Sequence, residues 1–358
     1  MKSDDPSFSH DALAALRFDS QLATAFLGRT FSGLTAIAYR ELGEAAVNEL
    51  WFRALTSHQG DRYEEGLRKL GIENEPAAVA AAKYHYFTNI IGGLEMEYVE
   101  ESPRKVWIRY LAPMWTYAGV ALIAMPASVR RTVFGSWHPR NGRYMGNPRL
   151  GYVATKFSMD GDPYDEGYFF EYDHDLREDE TYRIEVARHT PAFDAARAPK
   201  LDTQLWPEPR ILKARPKFSA GYVQATVDSL YAMVGELRTH QLVRSAMRML
   251  AIQMGPQLVT QTGVETRDVP GILRFHCTLL SAMGRDVTVE PGEDARRGRL
   301  VLRSYKPFDE RYSPELHEAF FEFHAMATRM MSSTVKITRH ESADGEAWDV
   351  VDTGQWLY

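Results

Sequence analysis

Two histidines carry the clearest chemical signal in this chain, because each stands at the same place in a stretch that occurs twice. His85 lies in KYHYFTNIIGGLEMEY and His276 in RFHCTLLSAMGRDVTV, and the same gapless alignment matches Gly93 with Gly284. Imidazole titrates near neutral pH, so each side chain could serve as an acid, a base or a ligand. We predict His85 as a catalytic base and His276 as a ligand-binding residue. A core histidine satisfied by one backbone carbonyl is the alternative for both.

Each copy also carries an arginine near the end of its second predicted strand. With three extra residues allowed in the second copy, Arg109 falls on Arg303 and Ile108 on Leu302. An arginine at a strand end can hold a carboxylate through two parallel hydrogen bonds. We therefore predict both arginines as ligand-binding residues. A solvated strand residue with a buried stem is the alternative.

A loop from Trp137 to Arg149 in the first copy has no obvious counterpart in the second. It is rich in Gly, Pro and Asn and has unusual aromatic and basic content. Because loops on a scaffold often carry function, we predict that it forms a lid over a ligand. A surface loop packed by its own aromatic residues is the alternative, and core packing is the alternative for Tyr84. The predicted ligand-binding residues of the first copy are Tyr84, Arg109, Trp115, Trp137, His138, Arg140 and Tyr144.

Four carboxylates lie within seven residues of the first copy: Asp160, Asp162, Asp165 and Glu166. Close carboxylates can bind a divalent ion, or can separate their pKa values for acid and base work. The spacing lacks that of a full calcium loop, which favours a solvated turn.

Composition excludes several classes of function. A net charge of -6, from 42 basic and 48 acidic residues, argues against a nucleic-acid surface. The single cysteine, Cys277, allows no internal disulfide and no cysteine-built metal centre. We therefore predict a cytoplasmic location. We also predict no metal and no cofactor. The most apolar run, Tyr117 to Val129, contains Pro126 and is too short to span a bilayer, so we expect no membrane partner.

The elements that must position these residues repeat in one order. Helical periodicity runs to Gly92, and alternating residues then predict strands at Leu94–Val99 and Val106–Leu111. A helix from about Trp115 to Val133 and a second strand pair follow, and helices, hairpin, helix and hairpin recur in the second copy. We predict an α+β fold of two tandem units, each a helical layer on a short antiparallel sheet. Their predicted bounds are 1–188 and 219–358, with a proline-rich linker at 189–218.

This order, with a strand–turn–strand of the type VTVEPGEDARRGRLVLRSYKPF, resembles the superfamily that groups heme nitric-oxide/oxygen-binding domains, 4-vinyl reductase domains and transport-particle subunits. The first unit, with LGEAAVNELWFRAL and NPRLGYVATKFSMDGDPYDEGYFFEYD, is also similar to the L-2-amino-thiazoline-4-carboxylic acid hydrolase family. The stretch Ser304–Phe308 lacks the Tyr-x-Ser-x-Arg motif of the heme-binding relatives. Asp165 stands where other relatives carry a cysteine after the Gly-Asp turn. The resemblance thus implies a ligand-binding fold without heme and without thiolate chemistry.

We predict that the protein binds a small molecule in an apolar, aromatic-lined cavity, and we place this cavity in the first unit. One alternative is a metal-independent hydrolase of a small cyclic or amide-like substrate, which the first-unit resemblance suggests, with His85 as general base. Another is an interaction or scaffold protein, like the transport-particle subunits. The nucleotide-binding, zincin and α/β-hydrolase motifs are missing from the sequence. A homodimer is left open.

Overall fold

The computed structural model describes residues 9–57, 63–111, 125–187, 189–309, 311–342 and 345–357. Over these residues the chain is α+β, as predicted, with two small sheets that are mainly antiparallel. The predicted ligand-binding residue Trp115 lies outside the described residues, as does the first part of the helix predicted from Trp115. Among the described helices, none is long and apolar enough to cross a membrane.

Several helices end at glycine residues, although two helices continue through a proline, at Pro216 and at Pro256. The helix that carries His85, Ala77–Gly92, ends there because Gly93 takes a left-handed conformation with φ of +94°, which glycine adopts without steric cost. The helices up to residue 144 are α1 His10–Leu42, α2 Glu44–Thr56, α3 Tyr63–Leu70, α4 Ala77–Gly92, α5 Ser128–Ser136 and α6 Asn141–Tyr144. Those after residue 200 are α7 Glu208–Val234, α8 Glu236–Gln261, α9 Val269–Ala282 and α10 Pro314–Met331.

The two sheets share one strand order. The first consists of β1 Met96–Ser102, β2 Lys105–Leu111, β3 Leu150–Lys156, β4 Tyr164–Glu171 and β5 Tyr182–Ile184, in the order β1-β2-β4-β3-β5. The second consists of β6 Val287–Pro291, β7 Arg297–Leu302, β8 Val335–Ser342 and β9 Gly345–Asp352, in the order β6-β7-β9-β8. Apart from β5, which runs parallel to β3, both sheets therefore connect two antiparallel hairpins in the same way.

The strand registers correct the predicted matching of the two hairpins. Met96 pairs with Tyr110, and Val287 pairs with Leu302. If Met96 is matched with Val287, the counterpart of Tyr110 is Leu302, so the second hairpin has one extra residue and not three. Arg109 and Arg303 are therefore not equivalent. The extra residue lies at the turn, where six residues separate Pro291 from Gly298 but five separate Glu100 from Val106.

Contacts divide the chain into two compact units, Ala38–Ser229 and Met1–Ile37 with Leu230–Tyr358. These bounds differ from the predicted 1–188 and 219–358, since the described residues 9–37 group with the second half. The segment predicted as a linker, 189–218, is also helical from Glu208 onward, because α7 continues through Pro216. A proline inside a helix loses its own amide hydrogen bond and crowds the carbonyl four residues earlier, and α7 continues through Pro216 despite both effects.

Each unit has its own core between helix and sheet. In Ala38–Ser229, helix α4 packs against β1, β2 and β4, and Phe134, Tyr152 and Phe169 are fully buried. In the other unit, α9 packs on β6 and β7, and Phe275 and Trp348 are fully buried. The histidines singled out by the sequence lie in these two cores.

Candidate functional site

His85 projects from α4 into the core of its unit and is completely buried. The amide Nδ2 of Asn141 donates to its Nε2 at 2.8 Å, and its Nδ1 lies 3.5 Å from the hydroxyl of Tyr110. The imidazole of His138 stacks on it with 4.2 Å between ring centroids. Burial lowers the pKa of His85 to about 3, which the hydrogen bond from Asn141 only partly opposes.

These contacts define a short chain of hydrogen bonds through the core. Because the Asn141 amide donates to Nε2, the proton of neutral His85 sits on Nδ1 and faces Tyr110. The Tyr110 hydroxyl in turn lies 2.8 Å from Nε2 of His138. Burial, with the nearby charge of Arg130, also lowers the pKa of His138, so both rings are neutral at pH 7. His85 is therefore an unprotonated base with no exposed surface.

The aromatic residues predicted around His85 come together as packing partners. Trp137 contacts the His85 ring edge-on at 5.1 Å, and Tyr84 lies 4.5 Å from Tyr63, centroid to centroid. Tyr144 reaches the same ring of Tyr63 at 5.9 Å. Burial raises the pKa of the Tyr84 hydroxyl to about 12. Trp137 and Tyr144 of the predicted lid thus fold inward against α3 and α4.

Arg109 satisfies its guanidinium within the chain. Its Nε donates to Glu166 at 2.5 Å, its Nη1 donates to Glu97 at 2.7 Å, and its Nη2 donates to the carbonyl of Pro191. Glu166 is completely buried and also accepts from Thr155. Burial opposes the charge of Arg109, but the two carboxylates outweigh it and raise the arginine pKa. The carboxylate that this strand-end arginine holds is therefore an internal one.

Arg303 has a different environment. It is exposed at the end of its strand, and its nearest acidic partner, Asp286, lies 3.9 Å away. A pair at that distance between exposed side chains contributes little stability. Arg303 therefore leaves its donors available to solvent.

The four carboxylates around the turn divide into two kinds. Asp160 pairs with Arg131 at 2.6 Å and Asp162 accepts from the amide of Phe157, near the surface. Asp165 is completely buried on β4, where it lies 2.6 Å from Arg130 and accepts from the amide of Ser158. A solvated turn thus describes only the first two. Across the described residues, no group of three His, Cys, Asp or Glu side chains has a geometry that could hold a metal ion.

A cavity of about 450 Å³ lies beside the predicted lid. Its walls come from residues 135–150, the start of β3 and the segment that leads into β5. Arg140 and Arg143 contribute positive charge, while Leu150, Leu176 and Tyr182 contribute apolar surface. The full set is Gly135, Pro139, Arg140, Arg143, Gly146, Asn147, Pro148, Leu150, Leu176, Glu178, Thr181 and Tyr182.

Tight backbone packing fixes this wall. A Cβ on Gly142 would lie 2.7 Å from the carbonyl oxygen of Asn147 and 2.8 Å from that of Leu150, so only glycine fits. The amide of Asn147 donates back to the carbonyl of Gly142 at 2.8 Å. Arg140 is anchored as well, because its guanidinium donates to the carbonyl of Ser136 and covers the ring of Phe52 at 5.0 Å.

The second unit repeats the histidine pair of the first. Nδ1 of His276 on α9 lies 3.0 Å from Nδ1 of His324 on α10, and its Nε2 lies 2.8 Å from the hydroxyl of Thr328. Burial lowers the pKa of His276 to about 3. The register that places Asp165 opposite Tyr110 places Glu346 opposite Leu302, and Glu346 is likewise buried and paired with arginines.

No family model, curated protein or solved structure significantly matches this chain. The site is therefore interpreted from its own geometry.

The structure assigns the predicted residues to three places. His85, Tyr84, Trp137, His138 and Tyr144 share one aromatic cluster, in which the two histidines are buried and the other three side chains are half-buried, whereas Arg140 lines the cavity. Arg109 belongs to a separate ion pair, and His276 and Arg303 belong to the other unit. The sequence interpretation placed Arg143 in the predicted lid but missed Leu176 and Tyr182. Arg143 is part of the basic loop content, but nothing local relates Leu176 or Tyr182 to that loop.

Proposed function

We propose that this protein binds a small organic anion in the cavity beside residues 135–150. The observation that carries the proposal is a cavity of about 450 Å³ with two arginines on one wall. Pockets of roughly 300–1,000 Å³ that are mostly apolar and have a few placed polar groups are typical of small-molecule sites. Pro139, Leu150 and Leu176 would pack against the body of such a molecule.

The charges of the cavity favour an anionic group on the ligand. Arg140 and Arg143 face one carboxylate, that of Glu178, among the lining residues. Arg140 is held in place by Ser136 and Phe52, so it needs little further ordering to bind. Arg143 is exposed, and no hydrogen bond or ion pair of its side chain occurs within the described residues. A carboxylate or a phosphate would match the guanidinium fork.

This cavity is more polar than the aromatic-lined one expected from the sequence, since Tyr182 is the aromatic residue among its described walls. The hydrolase alternative has less support, because the predicted base, His85, is buried and does not line this cavity. We also propose that the chain belongs to the ligand-binding superfamily that its sequence resembles. A cytoplasmic location and a homodimer are further, separate proposals.

A screen of small carboxylates and phosphates by thermal shift, followed by calorimetry, tests the proposal. We expect at least one compound to bind, and Arg143→Gln to weaken it about tenfold, because a charge-assisted hydrogen bond contributes roughly 1.5–3 kcal/mol. Arg149→Gln is the matched control, since Arg149 is an exposed arginine of the same loop that pairs with Glu171 and does not line the cavity. Equal losses in both variants, or no binding by any compound, would contradict the proposal.

A further inference from the structure

A second, smaller cavity of about 30 Å³ lies within the unit formed by Met1–Ile37 and Leu230–Tyr358. One side is apolar, with Phe26, Met247 and Phe321 among its residues. The polar side contains Arg285, Lys306, His317 and Glu346. A volume of this size has room for roughly two water-sized groups.

The polar side contains a buried group without a partner. His317 is 7% exposed, and its Nε2 is inaccessible to solvent and makes no hydrogen bond. A buried polar atom without a partner destabilises a fold, so an occupant that satisfies Nε2 would be favoured. The neutral imidazole can donate through this nitrogen to an acceptor in the cavity.

Arg285 is the second donor on this side. Its side chain is 9% exposed, and its Nε donates to the carbonyl of Ser304 at 2.8 Å. Its Nη2 lies 3.4 Å from Oε2 of Glu346 but makes no hydrogen bond. The guanidinium is thus incompletely satisfied inside the protein, which is costly for a charged group.

Among the charged residues that line the cavity, two are positive, Arg285 and Lys306, and one is negative, Glu346. Glu346 is shared, because Arg339 also donates to it at 3.1 Å while Trp348 donates to its other oxygen at 2.9 Å. Arg339 does not line the cavity, and it also pairs with Glu318 at 3.4 Å and with Glu341 at 3.2 Å, so its charge is compensated outside the cavity. Lys306 adds a further positive charge at the rim, where it donates to the carbonyl of Gly284 at 3.1 Å.

We propose that this cavity binds one small monovalent anion, of the size of chloride or formate, between Arg285, Lys306 and His317. A water molecule could satisfy His317, but it would leave the excess positive charge uncompensated. A larger anion, such as sulfate or gluconate, exceeds the volume. This site lies in a different unit from the cavity beside residues 135–150, so the two proposals stand or fall separately.

The test measures the urea unfolding midpoint of the full chain at constant ionic strength, with gluconate replaced stepwise by formate or bromide. We expect the midpoint to rise along a saturating curve with formate and bromide, because an anion that binds only the folded state stabilises it. Crystals soaked in bromide should show an anomalous peak between Arg285 and His317. A midpoint that changes linearly with the fraction of gluconate replaced and does not saturate, or a cavity without the peak, would overturn the proposal.

Two single substitutions test whether the stabilisation by formate comes from this cavity. Lys306→Gln should raise the half-saturating formate concentration at least about threefold, the loss expected for one partly exposed charge. Since Lys306 is exposed, this variant should fold. Arg303→Gln is the matched control, because it removes a nearby exposed positive charge that does not line the cavity, and it should leave the curve unchanged. Equal shifts in the two variants would show general screening and refute a site.

Discussion

His276 and His324 meet nitrogen to nitrogen, with 3.0 Å between their Nδ1 atoms in a core that excludes water. One ring must donate and the other accept, so the contact requires at least one neutral imidazole. His85 and His138 form the corresponding pair in the other unit, stacked at 4.2 Å with Tyr110 bridging their nitrogens. In each unit, the pair lies between the helix that precedes that unit's first hairpin and the segment that follows this hairpin.

The buried histidines predict how stability depends on pH. The pKa of His85 and of His276 is about 3 in the folded chain and roughly 6.5 when unfolded. Between these values the unfolded chain binds protons that the folded chain excludes, so stability is full above about pH 6.5 and falls as the pH drops toward 3. Each histidine contributes up to about 1.4 kcal/mol per pH unit. Urea unfolding at pH 7.5, 6 and 4.5 measures the slope.

A variant isolates one histidine from other acid-sensitive groups. His85→Gln should reduce the slope of stability against pH below pH 6.5 by about one histidine's contribution. The neighbouring side chains of His138, Tyr110 and Asn141 are unchanged in this variant. His174→Gln removes an exposed histidine of the same unit and should leave the slope as it was. If His85→Gln and the parent protein lose stability in parallel, His85 is not buried as a neutral ring.

Arg109 and Arg303 should differ sharply in their contribution to stability. Replacing Arg109 by methionine leaves Glu166 completely buried, with Lys156, at 3.3 Å, as its one remaining positive partner among the described residues. We expect a cost of about 3–5 kcal/mol in the free energy of unfolding. Arg303→Met should change that free energy by about 0.5 kcal/mol or less, because the side chain is exposed. Chemical denaturation of both variants compares them, and equal effects would restore the equivalence suggested by the sequence.

Two glycine substitutions should have opposite effects. A Cβ on Gly167 would lie 2.3 Å from the Tyr152 hydroxyl and 2.5 Å from the carbonyl oxygen of Val153 on the neighbouring strand, so Gly167→Ala should destabilise by about 1–3 kcal/mol. A Cβ on Gly221, within α7, meets nothing within 4 Å. Gly221→Ala should stabilise by about 0.5–1 kcal/mol, because alanine loses less backbone entropy in a helix. Thermal unfolding distinguishes the signs, and a stabilised Gly167→Ala would contradict the packing of β3 on β4.

Heme is expected not to bind. Both nitrogens of His276 are already engaged, Nδ1 with His324 and Nε2 with Thr328, so iron ligation would require breaking one of these buried contacts. Hemin titrated into the purified protein should give no Soret shift beyond that given by an unrelated carrier protein. A saturable Soret shift that His276→Ala abolishes would show that the helix opens and that the heme-binding resemblance extends to function.

Local chemistry determined the elements of this chain. Gly93 stops α4, and the alternation from Met96 to Tyr98 gives β1, because a glycine stop and a period of two act over a few residues. The order of helices and hairpins, present in both halves, followed from the same signals. These features were predictable from the residues alone, as was the α+β class.

Tertiary structure decided what each candidate residue does. Whether His85 is an accessible base or a buried neutral ring depends on Asn141 and His138, more than 50 residues away along the chain. Arg109 holds Glu166 only because β2 and β4 are neighbours in the sheet. The cavity beside residues 135–150 needs Leu176 and Tyr182, which the pairing of β5 with β3 brings there. Burial and charge pairing are sums over distant residues, and a single sequence gives no local signal of them.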